Sequence, residues 1–160
     1  TVKVTSIKIN KINNNLFNKS ILAWTQSTRS ASEVLKSQKK NLKSNINRLE
    51  KIKANADLFY QSIKLNKKID LKKLGNLVNK SWKEKKKLSG KISLKKIDTI
   101  IKSSIKIGCY GSKLLGAGGG GFIIIFGEKR HIKVMMKKHK ELVYLKFNLS
   151  SVGSEVISIV

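Results

Sequence analysis

The run Gly116-Ala-Gly-Gly-Gly-Gly121, followed at once by Phe122-Ile-Ile-Ile-Phe126, constrains this 160-residue chain more than any other stretch. Backbone without Cβ atoms loses the most conformational entropy on folding. Such a run is therefore expected where the chain must approach something closely or where φ must be positive. Consecutive free amides in a loop of this kind can form an anion-binding nest. A flexible turn between a helix and a strand would also use glycine. The apolar run after it reads as a buried strand. It is the longest in the chain and falls far short of the roughly 20 residues that cross a bilayer.

The segments around this loop set the fold class. Val2, Val4, Ile7 and Ile9 alternate in part and read as a strand, Asn10–Asn18 as a polar loop, and Ile21–Trp24 as a short buried strand. Ser30-Ala-Ser-Glu33 has the pattern of a capping box, so a helix is expected from there through Val34, Leu35 and Gln38. Leu42, Ile46, Leu49, Ile52, Ala56, Phe59 and Ile63 recur every three or four residues, as one face of a long helix does. Asp70 caps a helix striped by Leu71, Leu74, Val78 and Trp82, and the cations Lys83–Lys87 suit its C-terminal end. Ser93 caps another, which carries Ile97, Ile100, Ile101 and Ile105 and is closed by Gly108. Beyond the glycines and their strand, Glu128–Lys138 reads as a helix, and Val143–Phe147 and Val156–Val160 as strands. The order helix, glycine loop, strand, helix, strand, strand is that of an α+β fold, a small antiparallel sheet backed by helices.

Composition narrows the function. The balance of 35 Lys+Arg against 9 Asp+Glu, a net charge of +26, invites a nucleic-acid reading. Arg29, Arg48 and Arg130 are the only arginines, and the aromatics are scattered away from the basic clusters. Base readout and stacking favour the opposite pattern. The richness in lysine, isoleucine and asparagine fits a codon bias that fills solvated faces with lysine. A lysine-rich nucleic-acid-binding protein remains the alternative from a different class. No proline and a single cysteine exclude collagen-like and disulfide-scaffold chains. Two histidines and Cys109 cannot make a four-ligand structural zinc site without carboxylates, and no metal site is expected. His131 and His139 are expected in solvent on a lysine-rich helix, Cys109 as a small buried residue, Trp82 as a core anchor and Asp98 on a polar helix face. The chain opens on Thr1, and Met135 and Met136 are its only methionines. It therefore reads as the C-terminal part of something longer, with the cytoplasm as default compartment.

Two familiar phosphate loops fail on context. No Gly-Lys-Ser/Thr ends the glycines, so this is not a Walker A loop. The dinucleotide fingerprint lies between strand and helix, whereas here helix precedes loop and strand follows. Lys113-Leu-Leu-Gly-Ala-Gly-Gly-Gly-Gly121 resembles instead the third motif of the GHMP kinases, the small-molecule kinases that include galacto-, homoserine, mevalonate and phosphomevalonate kinases. Thr28-Arg-Ser-Ala-Ser32 with Gln38, and Ser81-Trp-Lys-Glu-Lys-Lys-Lys-Leu-Ser89 with Lys91-Ile-Ser93, are similar to segments of the branch acting on D-glycero-D-manno-heptose 7-phosphate. Together the three span about Ile21 to Val160. Gln26-Ser27, Tyr110 and Ser112 depart from that pattern.

The resemblance implies a ferredoxin-like C-terminal lobe with additional helices over residues 27–160, preceded by the end of an N-terminal lobe over 1–26. It implies a kinase using ATP and Mg2+ to phosphorylate the anomeric hydroxyl of the heptose phosphate, or a fucose-type relative. The Gly-Leu-Gly-Ser-Ser ATP loop and the hydroxyl's base belong to the N-terminal half, so no catalytic residue is expected here and residues 1–160 alone are expected to be inactive. Gly116, Gly118, Gly119, Gly120 and Gly121 are the implied active-site loop. Arg29 and Lys113 are the candidates for substrate contact, Arg29 through bidentate binding of phosphate. Thr28 and Ser30 are expected to serve first as cap residues.

Overall fold

Apolar side chains at alternate positions pair Ser20–Trp24 (β1) with Phe122–Phe126 (β3), antiparallel and in the register Ile21 opposite Ile125 and Ala23 opposite Ile123. All four of these side chains are buried on one face of the sheet. The computed structural model describes residues 13–64 and 70–148. Gly111–Leu114 (β2) adds to the free side of β3, and Val143–Leu145 (β4) to the free side of β1, giving the order β2-β3-β1-β4 with every pairing antiparallel. The helices among the described residues are Asn13–Asn18 (α1), Ala31–Lys40 (α2), Ile46–Lys64 (α3), Leu71–Lys85 (α4), Lys95–Ile107 (α5) and Lys129–Lys138 (α6). The expected α+β fold, a small antiparallel sheet backed by helices, is therefore present. Among the described residues no helix is long and apolar enough to cross a membrane.

The core lies between the buried sheet face and the helices. Leu114, Ile123 and Ile125 meet Ile92, Ile97, Ile100, Trp82 and Met135 there, all nearly or fully excluded from solvent. Each such side chain contributes about 1.5–3 kcal/mol. Trp82 is the core anchor its position in the α4 stripe implies. Helix α4 lies against β2 at backbone distance. A Cβ on Gly111 would stand 2.3 Å from the Gly75 carbonyl oxygen, and one on Gly75 would stand 2.5 Å from that of Tyr110. Asn79 completes this seam, donating to Tyr110 O at 3.1 Å and accepting from the Ser112 amide at 3.0 Å.

Local signals hold at some helix ends and fail at others. Asp70 caps α4, its carboxylate accepting from the amides of Lys72 at 2.9 Å and Lys73 at 3.1 Å. Gly108 ends α5 with φ +101°. Ser30 is the N-cap of α2 but makes no capping bond. Its hydroxyl pairs with Ser32 at 2.7 Å, and Glu33 reaches Lys91 at 3.7 Å instead of closing a capping box. Helix α5 begins at Lys95 with Leu94 as N-cap, because the Ser93 hydroxyl is taken by Asp98 at 2.9 Å; Asp98 also pairs with Lys86 at 3.3 Å.

Asn13–Asn18, expected as loop, is helical. The expected long helix from Leu42 is interrupted by a 3-10 turn at Lys43–Asn45, where Asn45 donates to Leu88 O at 3.1 Å and stays buried. Its apolar stripe does not form one buried face: Leu42, Ile46 and Leu49 are exposed, and α3 is held to α4 with the Arg48–Glu84 pair at 3.3 Å. Strand β2 is not among the expected strands, and β4 is shorter than Val143–Phe147. The expected strands Val2–Ile9 and Val156–Val160 lie outside the described residues.

Candidate functional site

The glycine loop joins β2 to β3. The Leu115 amide donates to Phe122 O at 2.8 Å and closes its neck. Above the neck Gly116, Gly118, Gly119 and Gly121 have φ of +68°, +119°, +82° and +101°, values that a side chain would strain. Two segments distant in the chain hold the loop. The Gly119 amide donates to Ile92 O at 2.8 Å, and the Gly121 amide to Ser27 O at 2.8 Å. The Gly121 carbonyl accepts from the Thr25 amide at 3.0 Å and from the Thr25 hydroxyl at 2.8 Å. Gln38 donates to Ala117 O at 3.3 Å, and the Lys85 ammonium donates to Gly116 O.

These contacts explain the glycines. A Cβ on Gly118 would stand 2.8 Å from Ile92 O, one on Gly119 2.9 Å from Arg29 Cδ, and one on Gly120 2.3 Å from Ser27 O. The nest of consecutive free amides does not form, since the Gly119 and Gly121 amides are turned onto protein carbonyls. Close backbone packing is what the glycine run serves. Gly116 and Gly121 have open space where a Cβ would be, and only their φ values call for glycine.

Arg29 is exposed and lays its aliphatic stem over Gly119, with no acidic partner among the described residues. Lys113 lies on β2 opposite Ile124, half-buried beside the loop's neck, and burial pulls its ammonium pKa down. Lys85, near the C-terminal end of α4, is also lowered, first by burial and then by the charge of Lys113. Two cations thus share the rim of the loop, and neither has an ion-pair partner among the described residues. Two desolvated like charges without a carboxylate are an arrangement that a bound anion relieves. Lys85 was missed in the sequence, where it sat in the Lys83–Lys87 run as one of four lysines suited to a helix C-terminus. Its only distinguishing mark is its place on the α4 face that meets β2.

The remaining sequence candidates lie elsewhere. Cys109 is buried, as expected, and burial pushes its thiol up to about 11, which rules against a nucleophile. His139 is not solvated: it is buried, and its Nδ1 lies 3.0 Å from Glu141. His131 also departs from expectation, its ring lying over Gly108 with Nδ1 shut away from water. Both turn inward because α6 packs against α5. Among the described residues no group of three or more His, Cys, Asp or Glu is placed to hold a metal ion.

The family described as GHMP kinases C terminal matches residues 62–142, which include α4, α5, β2, the glycine loop, β3 and α6. No curated protein matches the chain. Solved structures share the fold. The phosphomevalonate kinase of Streptococcus pneumoniae, in complex with phosphomevalonate and AMPPNP, has a TM-score of 0.67 at 19% identity, over 80% of this chain and 39% of that one. The mevalonate kinase of Methanococcus jannaschii gives 0.65 at 22% identity, over 90% and 42%. The galactokinase of Lactococcus lactis, complexed with galactose, gives 0.57 at 17%, over 79% and 44%. The chain thus spans about two-fifths of the length of these kinases. By a family match over half its length, and by a fold that agrees with it, the chain belongs to the GHMP kinases as their C-terminal domain.

Proposed function

We propose that this chain is the C-terminal lobe of an ATP-dependent sugar-phosphate kinase that phosphorylates the anomeric hydroxyl of D-glycero-D-manno-heptose 7-phosphate to the 1,7-bisphosphate. The observation that carries this reading is convergence. The segments that resemble the heptose kinases, Thr28–Ser32 with Gln38 and Ser81–Ser93, meet at the glycine loop, through the Arg29 stem, Gln38, Lys85 and Ile92 O.

Phosphoryl transfer asks a protein for positioning and for positive charge around the transferred group. In this proposal Lys113 and Lys85 face the phosphates of ATP across the rim. Arg29, held over Gly119, takes the 7-phosphate of the sugar with its planar fork. The glycines, packed against Ile92, Arg29 and Ser27, fix the place of the rim that carries these cations. Mg2+, when bound, neutralises phosphate charge; its ligands, the ATP loop and the hydroxyl's base are assigned to the N-terminal lobe. The junction of the two lobes is proposed to lie before β1, which already belongs to the C-terminal sheet, rather than at residue 26. The setting is cytoplasmic, with ATP and a sugar phosphate as partners and no specific nucleic acid.

The test compares sugars on the full-length kinase. Heptose 7-phosphate is expected to surpass fucose and galactose in kcat/KM, and Arg29→Ala to raise KM for the phosphorylated sugar about tenfold, the effect of about 1.4 kcal/mol. Preference for an unphosphorylated sugar, with Arg29→Ala silent, overturns the substrate assignment. The 160-residue chain alone is expected to turn over no ATP, and measurable turnover overturns the division of labour between lobes.

A further inference from the structure

A cavity lies away from the glycine loop, at the other end of the α4–β2 seam. It holds about 1000 Å3 and is lined by Lys19, Lys72, Tyr110, Glu128, Lys129 and Arg130, with Gly108 and His131 beside them. Lys72 and Lys85 stand 13 residues apart on α4, so the cavity is removed from the loop by about 20 Å. A volume of this order is at the upper end of small-ligand sites, roughly 300–1,000 Å3.

Three features give the cavity its chemistry. Its walls carry four cations, Lys19, Lys72, Lys129 and Arg130, against one carboxylate, Glu128. That carboxylate is already satisfied: Lys19 donates to it at 2.7 Å and the Tyr110 hydroxyl also donates to it. These two bonds, Lys19 first, hold Glu128 below the usual carboxylate range. Lys72, Lys129 and Arg130 keep their charge unpaired among the described residues. Finally, the ten-residue helix α6 opens onto the cavity uncapped. Glu128 is its N-cap residue, yet its side chain makes no capping bond, because Lys19 and Tyr110 draw it away. The His131 and Ile132 amides donate to the Glu128 carbonyl at 2.9 and 3.1 Å, which leaves the Lys129 and Arg130 amides at the open end of α6 without an acceptor among the described residues.

We propose that this cavity is a second anion-binding site, separate from the loop, for a small molecule bearing phosphate. Arg130 supplies the planar fork and Lys72 and Lys129 the point charges. The Tyr110–Glu128–Lys19 cluster forms a polar floor that positions the uncapped helix end without competing for the anion. Concavity favours a small ligand over an extended polyanion, which a flat basic face would suit better. The site does not depend on the kinase assignment, since no loop residue lines it.

The experiment titrates inorganic pyrophosphate into the 160-residue chain, followed by calorimetry and by amide chemical shifts. Saturable binding is expected with shifts at Gly108, Lys129 and Arg130, distinct from any shifts at the glycine loop. Lys72→Ala combined with Arg130→Ala is expected to weaken binding about tenfold or more, and Lys53→Ala, on α3, to leave it unchanged. Glu128→Gln is expected to tighten binding about threefold by removing the carboxylate that lines the cavity. This gain cannot be produced by a folding defect, and circular dichroism of each variant checks the fold. Failure of pyrophosphate to saturate, equal weakening by Lys53→Ala, or shifts confined to Gly116–Gly121 would each overturn the proposal.

Discussion

Replacement of Gly120 by alanine tests whether the glycine loop is packed or merely flexible. A Cβ at position 120 would stand 2.3 Å from the Ser27 carbonyl oxygen and 2.8 Å from its carbon. Both are backbone atoms, so no rotamer change relieves the clash. The connection between β1 and α2 has to retreat by about 1 Å to restore normal contact. Overpacking of this kind costs about 1–3 kcal/mol. The same retreat stretches the bond from the Gly121 amide to Ser27 O, now 2.8 Å, which is worth about 0.5–1.5 kcal/mol. Together the loss is about 2–4 kcal/mol. A chain of this size loses about 2–4 °C of Tm per kcal/mol, so the midpoint should fall by about 4–16 °C. Gly90→Ala is the reference, because nothing lies within 4 Å of a Cβ there and its φ is ordinary. It should stay within about 0.5 kcal/mol of the parent. Gly116→Ala meets open space at φ +68° and should cost only the left-handed penalty, about 1–2 kcal/mol. Thermal melts followed by circular dichroism give the order directly. If Gly120→Ala melts with Gly90→Ala, the loop is not seated on Ser27, and the convergence behind the functional proposal is lost.

The buried hydroxyl pair Ser104–Ser112, 2.6 Å apart, should behave asymmetrically: Ser104→Ala strands the Ser112 hydroxyl at about 1–3 kcal/mol, whereas Ser112→Ala leaves Ser104 donating to Ile101 O at 2.8 Å and costs less, and the double variant costs less than the sum in a urea-unfolding cycle. Asp70→Ala should lose about 1 kcal/mol in the same assay, whereas Ser30→Ala, at an N-cap that makes no capping bond, should change little. Cys109, with its thiol pushed up to about 11, should resist alkylation at neutral pH in the native chain and react on unfolding; rapid native labelling would show that it is not buried. Tyr110 is raised to about 12 by its hydrogen bond to Glu128, then by burial. The folded state thus favours the neutral phenol. The resulting stabilisation is fully present below the unfolded value near 10 and is lost as pH climbs from there through about 12. Tyr110→Phe should remove that alkaline component from a pH series of melts.

What could be read in the residues, and what could not, follows from range. β1 and β3 announce themselves because buried strands need consecutive or alternating apolar side chains, and Asp70 and Gly108 mark helix ends by their own backbone preferences. β2 could not be seen: Gly-Ser-Lys-Leu has little β-propensity, and it is a strand because β3 and α4 accept it at backbone distance through Gly111 and Gly75. The box at Ser30 failed because Glu33 found Lys91, a residue no local rule could offer. The α3 stripe at Leu42, Ile46 and Leu49 promised burial, yet nothing among the described residues covers it. Lys85 was one lysine among many until α4 set it beside Lys113.

The torsional and hydrophobic character of neighbouring residues is enough to set the glycine loop, the helix ends at Asp70 and Gly108 and the apolar strands β1 and β3. Only the tertiary structure decided that the loop's amides turn inward onto Ile92 and Ser27, that Arg29 crosses Gly119, and that Lys85 and Lys113 meet without a carboxylate. These arise between segments far apart in the chain, where packing of the sheet against α4 and α5, and no local preference, chooses the partner.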